Sequence, residues 1–397
     1  MLLGAVVFLV CLGLLMVYSV SSARAVIEGS DPASLVRKQI MYALLGFGVL
    51  GLIARMHVDA FRRLAPMAVG TSIVSLLAVI VLPTAGLPIH SVFVNGAKRW
   101  LAIGPVQIQP SELAKMALIL WIAMAVARDP KRLAQPKGLV PFIALTGLFA
   151  ALIVIEPDLG TTGTLVLTAF AMVFVAGAPV KKLGVIGGVM GGLVVLVIMS
   201  SPYQRARVVS FLNPWADPTG DGFQSVQGQI AIGSGGIFGS GLGNSIQKNF
   251  FLPEAQTDFI GAIIGEELGL IGLCAMIAAF VVLGVAGYRI AMRSRNLHQR
   301  LLAAGITSLI CVQAGINLGQ VFGLLPVTGV PLPLVSAGGT SVVVFLSGVG
   351  VLVNISRQGK KAHARRAGTG SDSSGDRSRR NGGSRQTGTG DRRRIAS

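Results

Sequence analysis

FLPEAQTDFIGAIIGEELGLIG, residues 251–272, sets Glu254, Asp258, Glu266 and Glu267 at the mouth of a long apolar run. The chain has only 16 acidic residues among 397 and is 52% hydrophobic, so this gathering needs a cause. Pro253 starts a turn, and Asp258 stands four residues after Glu254, directly before the apolar FIGAII. A carboxylate at such an edge is partly desolvated, which raises its pKa and makes it a better base; a nearby Lys or Arg opposes the shift. Glu266 and Glu267 lie about two turns further in, where both cannot comfortably face lipid. They read as helix packing or a polar lining rather than as chemistry.

The apolar run is one of many. Charged residues make up 13% of the chain and the mean hydropathy is +0.71, against a charged share of about 25% in soluble proteins. Hydrophobic runs recur at roughly the 17 to 25 residues that a helix needs to cross a bilayer. The alternation in ~10-residue segments that a transmembrane barrel would require is missing. The expectation is an all-α polytopic membrane protein of about ten transmembrane helices, at 2–22, 39–55, 66–83, 110–127, 139–155, 162–178, 183–200, 259–287, 301–322 and 340–356. A long extracytoplasmic loop, about 201–258, separates the seventh from the eighth. The first run lacks a basic leader and a small-residue cleavage site, so it reads as a retained span and not a signal peptide. Cys11, Cys274 and Cys311 lie in apolar runs without metal or redox spacing and read as small buried hydrophobes.

Lys and Arg are retained on the cytoplasmic side. With both termini inside, 25 of the 34 basic residues are cytoplasmic, eight are outside and Lys115 falls within a span, whereas eleven of the 16 acids lie outside or at the outer edge. Two domains follow: a membrane domain over 1–356 and a tail over 357–397. The tail is rich in Gly, Ser and Arg, carries twelve basic residues against three Asp, and is expected to be disordered. Beside a final span its charge suits anionic lipid headgroups or an acidic protein partner, and no nucleic acid is expected.

Two outer segments stand out, 95–115 and the long loop from Ser201 to about Asp258, which is rich in Gly with Trp, Phe and Gln; the turn at 156–164 is a further motif. In NGAKRWLAIGPVQIQPSELAK (95–115), Lys98 and Arg99 precede Trp100, and Pro110 opens a helix on which Glu112 and Lys115 share a face. An ionisable pair inside a span points to function, with a structural ion pair locking two helices as the alternative. In EPDLGTTGT (156–164), Pro157 breaks one helix, and Asp158 either caps the next or belongs to a site. Outward carboxylates beside Lys98, Arg99 and Lys115 are the groups that transfer from a lipid pyrophosphate would need.

These segments, with AIGSGGIFGSGLGNSIQKNFFLPEAQTDF (231–259), GEELGLIG (265–272) and GLLPVTGVPLPLVSAGGTS (323–341), resemble the SEDS family of bacterial cell-wall polymerases, the shape, elongation, division and sporulation proteins. The resemblance runs in order over nearly all of residues 10–356. NPWADP (213–218), GLGNSIQK (241–248) and the polar tail resemble the division-type branch, FtsW, more than the elongation-type branch, RodA. The resemblance implies a glycosyltransferase that polymerises lipid II into peptidoglycan strands at the outer face of the cytoplasmic membrane, at the division septum. It places the family's catalytic aspartate on Asp258 and its other motif positions on Arg99, Glu112, Lys115 and Asp158; Lys98 and Glu254 join them as substrate-binding candidates. It further implies a class B penicillin-binding protein as transpeptidase partner, along with other divisome proteins. No cofactor is required; a divalent cation could share the pyrophosphate charge, though no motif specifies metal ligands. The competing readings are a lipid-linked precursor flippase or transporter, whose site would lie near the midplane, and a noncatalytic divisome scaffold.

Overall fold

The computed structural model describes residues 1–375 apart from 30, 85, 86, 95, 105 and 250. The compact part of the chain is Met1–Ile355. Its helices are α1 (Leu2–Glu28), α2 (Ser34–Ile53), α3 (Val58–Val81), α4 (Pro110–Arg128), α5 (Val140–Ile155) and α6 (Leu159–Val175). They continue with α7 (Val180–Ser200), α8 (Pro202–Leu212), α9 (Phe223–Gly235), α10 (Ile260–Arg293), α11 (Leu297–Val321) and α12 (Gly339–Gly375). Among the described residues eight helices are long and apolar enough to cross a membrane, and α5 and α6 are shorter apolar helices. The protein is a multi-pass membrane protein built mostly of helix.

Local chemistry sets the helix ends near the site. Pro110 occupies the first turn of α4, where its missing N–H costs nothing. Asp158 caps α6 by accepting from the Thr161 N–H at 2.9 Å. The centre of the bundle is α11, with 72% of its apolar window buried, whereas α7 at 6% lies at the periphery. Cys11 and Cys274 are exposed on the bundle surface and Cys311 is half-buried, not enclosed as the sequence suggested; a thiol packs against acyl chains as readily as against a protein core. Past Ile355 the structure carries α12 as helix to Gly375, where the composition argues against regular structure; the rest of the tail, 376–397, lies outside the described residues.

The connection between α3 and α4 holds a small antiparallel sheet, β1 (Ile89–Val94), β2 (Ala97–Ile103) and β3 (Val106–Ile108), in the order β1-β2-β3. Ile89 pairs with Ile103, Val92 with Trp100, and Leu101 with Ile108. An all-helical reading misses it, although Asn-Gly at 95–96 between apolar runs is a hairpin signal. The connection from α7 to α10 is likewise structured, by α8, a 3-10 turn at Pro214–Ala216 and α9.

Helix α10 is broken. Gly269 has φ 66° and non-helical ψ, and residues 236–241 fill the break: the Ser240 and Gly241 N–H groups donate to the Glu266 and Glu267 carbonyls, and the Leu270 N–H donates to the Gly236 carbonyl. In lipid such backbone groups must be satisfied within the protein, and here a second segment does so.

Hydrogen bonds sort the connections into two ends. Arg99 of β2 reaches the α5–α6 turn, Arg207 of α8 reaches Val327, and Thr340 at the start of α12 reaches Gln107. The α3–α4, α5–α6, α7–α10 and α11–α12 connections therefore share one end. At the other end Asn354 donates to the Ile53 and Met56 carbonyls, and Arg62 bonds Asn296.

Candidate active site at the entrance to α10

Asp258 is two residues before α10 and is 5% exposed. Its backbone is fixed from two sides. The side-chain amides of Asn317 and Gln320 in α11 donate to its carbonyl at 2.8 and 3.0 Å. Just before it, the Ala337 N–H donates to the Gln256 carbonyl and the Ser336 hydroxyl to the Thr257 carbonyl. The carboxylate has far less support. Its Oδ1 accepts from the Thr257 hydroxyl at 2.9 Å, but that hydroxyl lies equally close to Glu254 Oε2, and one proton cannot serve both. Burial pushes the Asp258 carboxyl up to about 6; Glu254 adds to the rise, while the Thr257 hydroxyl, then the backbone N–H of Asp258 itself and last Arg207 oppose it. Glu254 itself holds a positive φ of 51°, the tight turn that Pro253 begins.

The 327–331 connector crosses this carboxylate. A Cβ added to Gly329 would lie 3.9 Å from Asp258 Oδ2. The connector is held by the same face of α11: Gln320 accepts from the Thr328 N–H and hydroxyl, Asn317 donates to the Val330 carbonyl at 2.7 Å, and Gln313 donates to the Pro331 carbonyl at 3.0 Å. On its far side lies the start of α6, so close that a Cβ on Gly160 would sit 2.4 Å from Val330 Cγ2 and 2.6 Å from the Thr328 carbonyl. Only glycine permits that approach.

Arg99 and Asp158 meet at the α5–α6 turn. The Arg99 guanidinium donates from Nε to the Glu156 carbonyl at 3.2 Å and from Nη2 to the Pro157 carbonyl at 2.6 Å. Glu156 is 3% exposed, and neither of its carboxyl oxygens has a hydrogen-bond partner among the described residues. Burial, then the neighbouring Asp158, pushes it up to about 9 against the pull of Arg99, so at neutral pH it holds its proton. Lys98, also on β2, donates to the Leu82 carbonyl at 3.4 Å.

Glu112 and Lys115 pair at 2.7 Å, both almost fully buried, and Lys115 also donates to Gln313 at 2.6 Å beneath the Phe345 ring. Since Gln313 holds Pro331, the pair underpins the connector from below. Glu266 and Glu267 form a separate cluster. Glu266 accepts from the Ser245 hydroxyl and from the Ile246 and Gln247 N–H groups; Glu267 accepts from Ser19 of α1, the Ser245 N–H and Lys248, the last at 2.8 Å. This is the packing role their depth suggested.

Of the positions singled out in the sequence, Glu254 and Asp258 therefore lie together, as do Arg99 and Asp158, with Glu112 and Lys115 behind the connector. The cation acting on Asp258 is Arg207. Sequence reasoning passed over Arg207, Glu156 and the row Gln313, Asn317 and Gln320. The row had a signal: amides spaced by four and three residues mark one face of a helix that is otherwise apolar. Among the described residues no three His, Cys, Asp or Glu side chains gather as a metal site.

Fold and site together define a polytopic membrane protein with a buried carboxylate where one end of its helix bundle meets folded connections. The FtsW/RodA/SpoVE family model, described as cell cycle protein, matches residues 1–361. The chain belongs to that family. It is 41% identical to stage V sporulation protein E of Bacillus subtilis (strain 168), over 88% of this chain and 94% of that one. It is 38% identical to the probable peptidoglycan glycosyltransferase FtsW of Geobacter sulfurreducens (strain DL-1 / KN400), over 90% and 94%. Its structure resembles the Thermus thermophilus rod shape determining protein RodA, with a TM-score of 0.65 at 27% identity over 90% and 95%. A chain from a peptidoglycan synthase complex that coordinates polymerization and crosslinking gives 0.73 at 28% identity, over 90% and 97%.

Proposed function

We propose that this protein is a peptidoglycan glycosyltransferase that polymerises lipid II at the outer face of the cytoplasmic membrane, for septal synthesis. The observation that carries the reading is Asp258: a carboxylate with an immobilised backbone, only a shared Thr257 hydroxyl and its own backbone N–H as donors, and a pKa of about 6. At neutral pH it is mostly ionised yet retains affinity for a proton, as a general base requires.

Asp258 takes the proton from the 4-hydroxyl of the GlcNAc of an incoming lipid II as that oxygen bonds to the anomeric carbon of MurNAc in the undecaprenyl-pyrophosphate-linked glycan. The bond from that carbon to the pyrophosphate breaks, and the leaving pyrophosphate keeps the electron pair. Attack from the opposite face inverts an α-linked donor to a β-1,4 bond, and no carboxylate nucleophile is needed. The pyrophosphate is already acidic, so it needs positive charge more than a proton. Arg99, half-buried at the α5–α6 turn, is assigned to it, with Lys98 on the same strand and Asp158 fixing the turn. Lys115 and Glu112 serve the same step by holding the connector, and Glu254 shares the Thr257 proton with the base.

The remaining assignments belong to the same reading: both termini cytoplasmic, a class B penicillin-binding protein as transpeptidase partner, contacts with other divisome proteins, and a basic tail over 357–397 at the lipid surface. The test is strand synthesis from lipid II by the purified chain in detergent, with and without its transpeptidase. Product formed without any second compartment separates a polymerase from a transporter. Asp258→Asn should lower the rate by about 10² to 10⁴; normal synthesis by this variant defeats the assignment.

A further inference from the structure

Arg207 lies in the long outer loop but outside the motifs quoted from it, yet it is the cation at the base. Helix α8 begins immediately after α7, with Pro202 in its first turn and the Ser201 hydroxyl accepting from the Gln204 N–H. That start aims Arg207 at the connector, where Nη1 donates to the Val327 carbonyl at 3.0 Å. Two residues further along, the connector passes Asp258 at Gly329, where an added Cβ would be 3.9 Å from Oδ2. The other cations considered are committed elsewhere: Arg99 to two carbonyls, Lys98 to one, and Lys115 to Glu112 and Gln313.

We infer that Arg207 is the positioning residue for Asp258: it holds the connector in register over the carboxylate and adds a counter-charge beside it. This rests on the proposed role of Asp258 as base. The groups around the carboxylate leave the part to Arg207. Its own turn contributes Glu254, which is negative. Helix α11 presents the uncharged amides of Asn317 and Gln320, the connector presents Thr328 and Gly329, and the start of α6 behind Thr328 carries Asp158. Placing one guanidinium on α8 ties base strength to the seating of the α7–α10 connection. When α8 leaves the connector, Asp258 loses both its register and its counter-charge, so the base is at working strength only when that connection is docked.

The test is the pH dependence of strand synthesis by the full-length protein with its transpeptidase, for the parent, Arg207→Gln, Arg207→Lys and Asp258→Asn. An opposite charge nearby favours the ionised form, so its loss moves the acid limb of the profile to higher pH, by about one unit. Arg207→Gln should therefore lose about threefold at pH 6.5 beyond any uniform drop, and recover that part by pH 8.5. Arg207→Lys keeps the charge and should keep the parent midpoint, even if its plateau is lower. A purely structural role would lower the plateau of both variants and leave both midpoints in place; that result overturns the inference, as does a midpoint shift in Arg207→Lys equal to that in Arg207→Gln. Full activity of Asp258→Asn overturns the base assignment and this inference together, whereas an inactive Asp258→Asn with an unmoved Arg207→Gln profile overturns the inference alone.

Discussion

Glu267 and Asp258 lie on the same 22-residue stretch, are both buried, and live in opposite surroundings. Glu267 is met by the Ser19 hydroxyl, the Ser245 N–H and the Lys248 ammonium, and Glu266 beside it by one hydroxyl and two N–H groups. Asp258 has only a share of one hydroxyl and its own backbone N–H. Burial alone does not separate a structural carboxylate from a reactive one; the supply of donors does. A saturated carboxylate fastens helices, whereas an under-supplied, buried one such as Asp258 exchanges a proton readily near neutral pH.

The comparison breaks most visibly at Lys248. Lys248→Met strands a buried Glu267, and losing one partner of such a pair costs about 3 to 5 kcal/mol; thermal unfolding in detergent should report it. Adding Glu267→Gln should restore more than half of that loss, because the stranded charge is gone. Asp258→Asn, inactive as it should be, is expected within about 1 kcal/mol of the parent in the same experiment, since it breaks no saturated pair. Equal destabilisation by Lys248→Met and Asp258→Asn would erase the distinction between the two regions.

Glu156 sharpens it from the other side. Its pKa of about 9 lies above the ordinary 4.5. Below pH 4.5 folded and unfolded chains both hold the proton; above it the unfolded chain releases the proton while the folded one keeps it, so stability falls steadily up to about pH 9. Glu156→Gln removes that loss. Its advantage over the parent should be nil at pH 4 and about 1 kcal/mol or more at pH 8, read as the difference in melting temperature at the two pH values. The smallest effect is expected at Lys98, whose bond to the Leu82 carbonyl is long at 3.4 Å; Lys98→Ala should stay within about 0.5 kcal/mol.

The amino-acid order made the helices legible, because a span of apolar residues in lipid has few alternatives to helix. It also set the deep pair Glu266 and Glu267 apart from Asp258, since depth along a helix is counted directly from sequence. What it left hidden is whatever depends on partners distant in the chain. Arg207 reaches Val327 across 120 residues, Lys248 reaches Ser19 across 229, and Lys115 finds Gln313 across 198. A Lys or Arg in an outer segment carries no local mark of which carbonyl it will bind. The small sheet was hidden for a different reason: three to seven residues of strand beside long apolar helices barely alter the composition.

The interruption of α10 bears on how the protein is made. Residues 236–241, which complete the broken backbone at Gly269, precede it in the chain. During synthesis the mate is thus delivered before the gap it fills, and the exposed peptide groups of the interruption can be matched as they emerge, without waiting for any later part of the polypeptide.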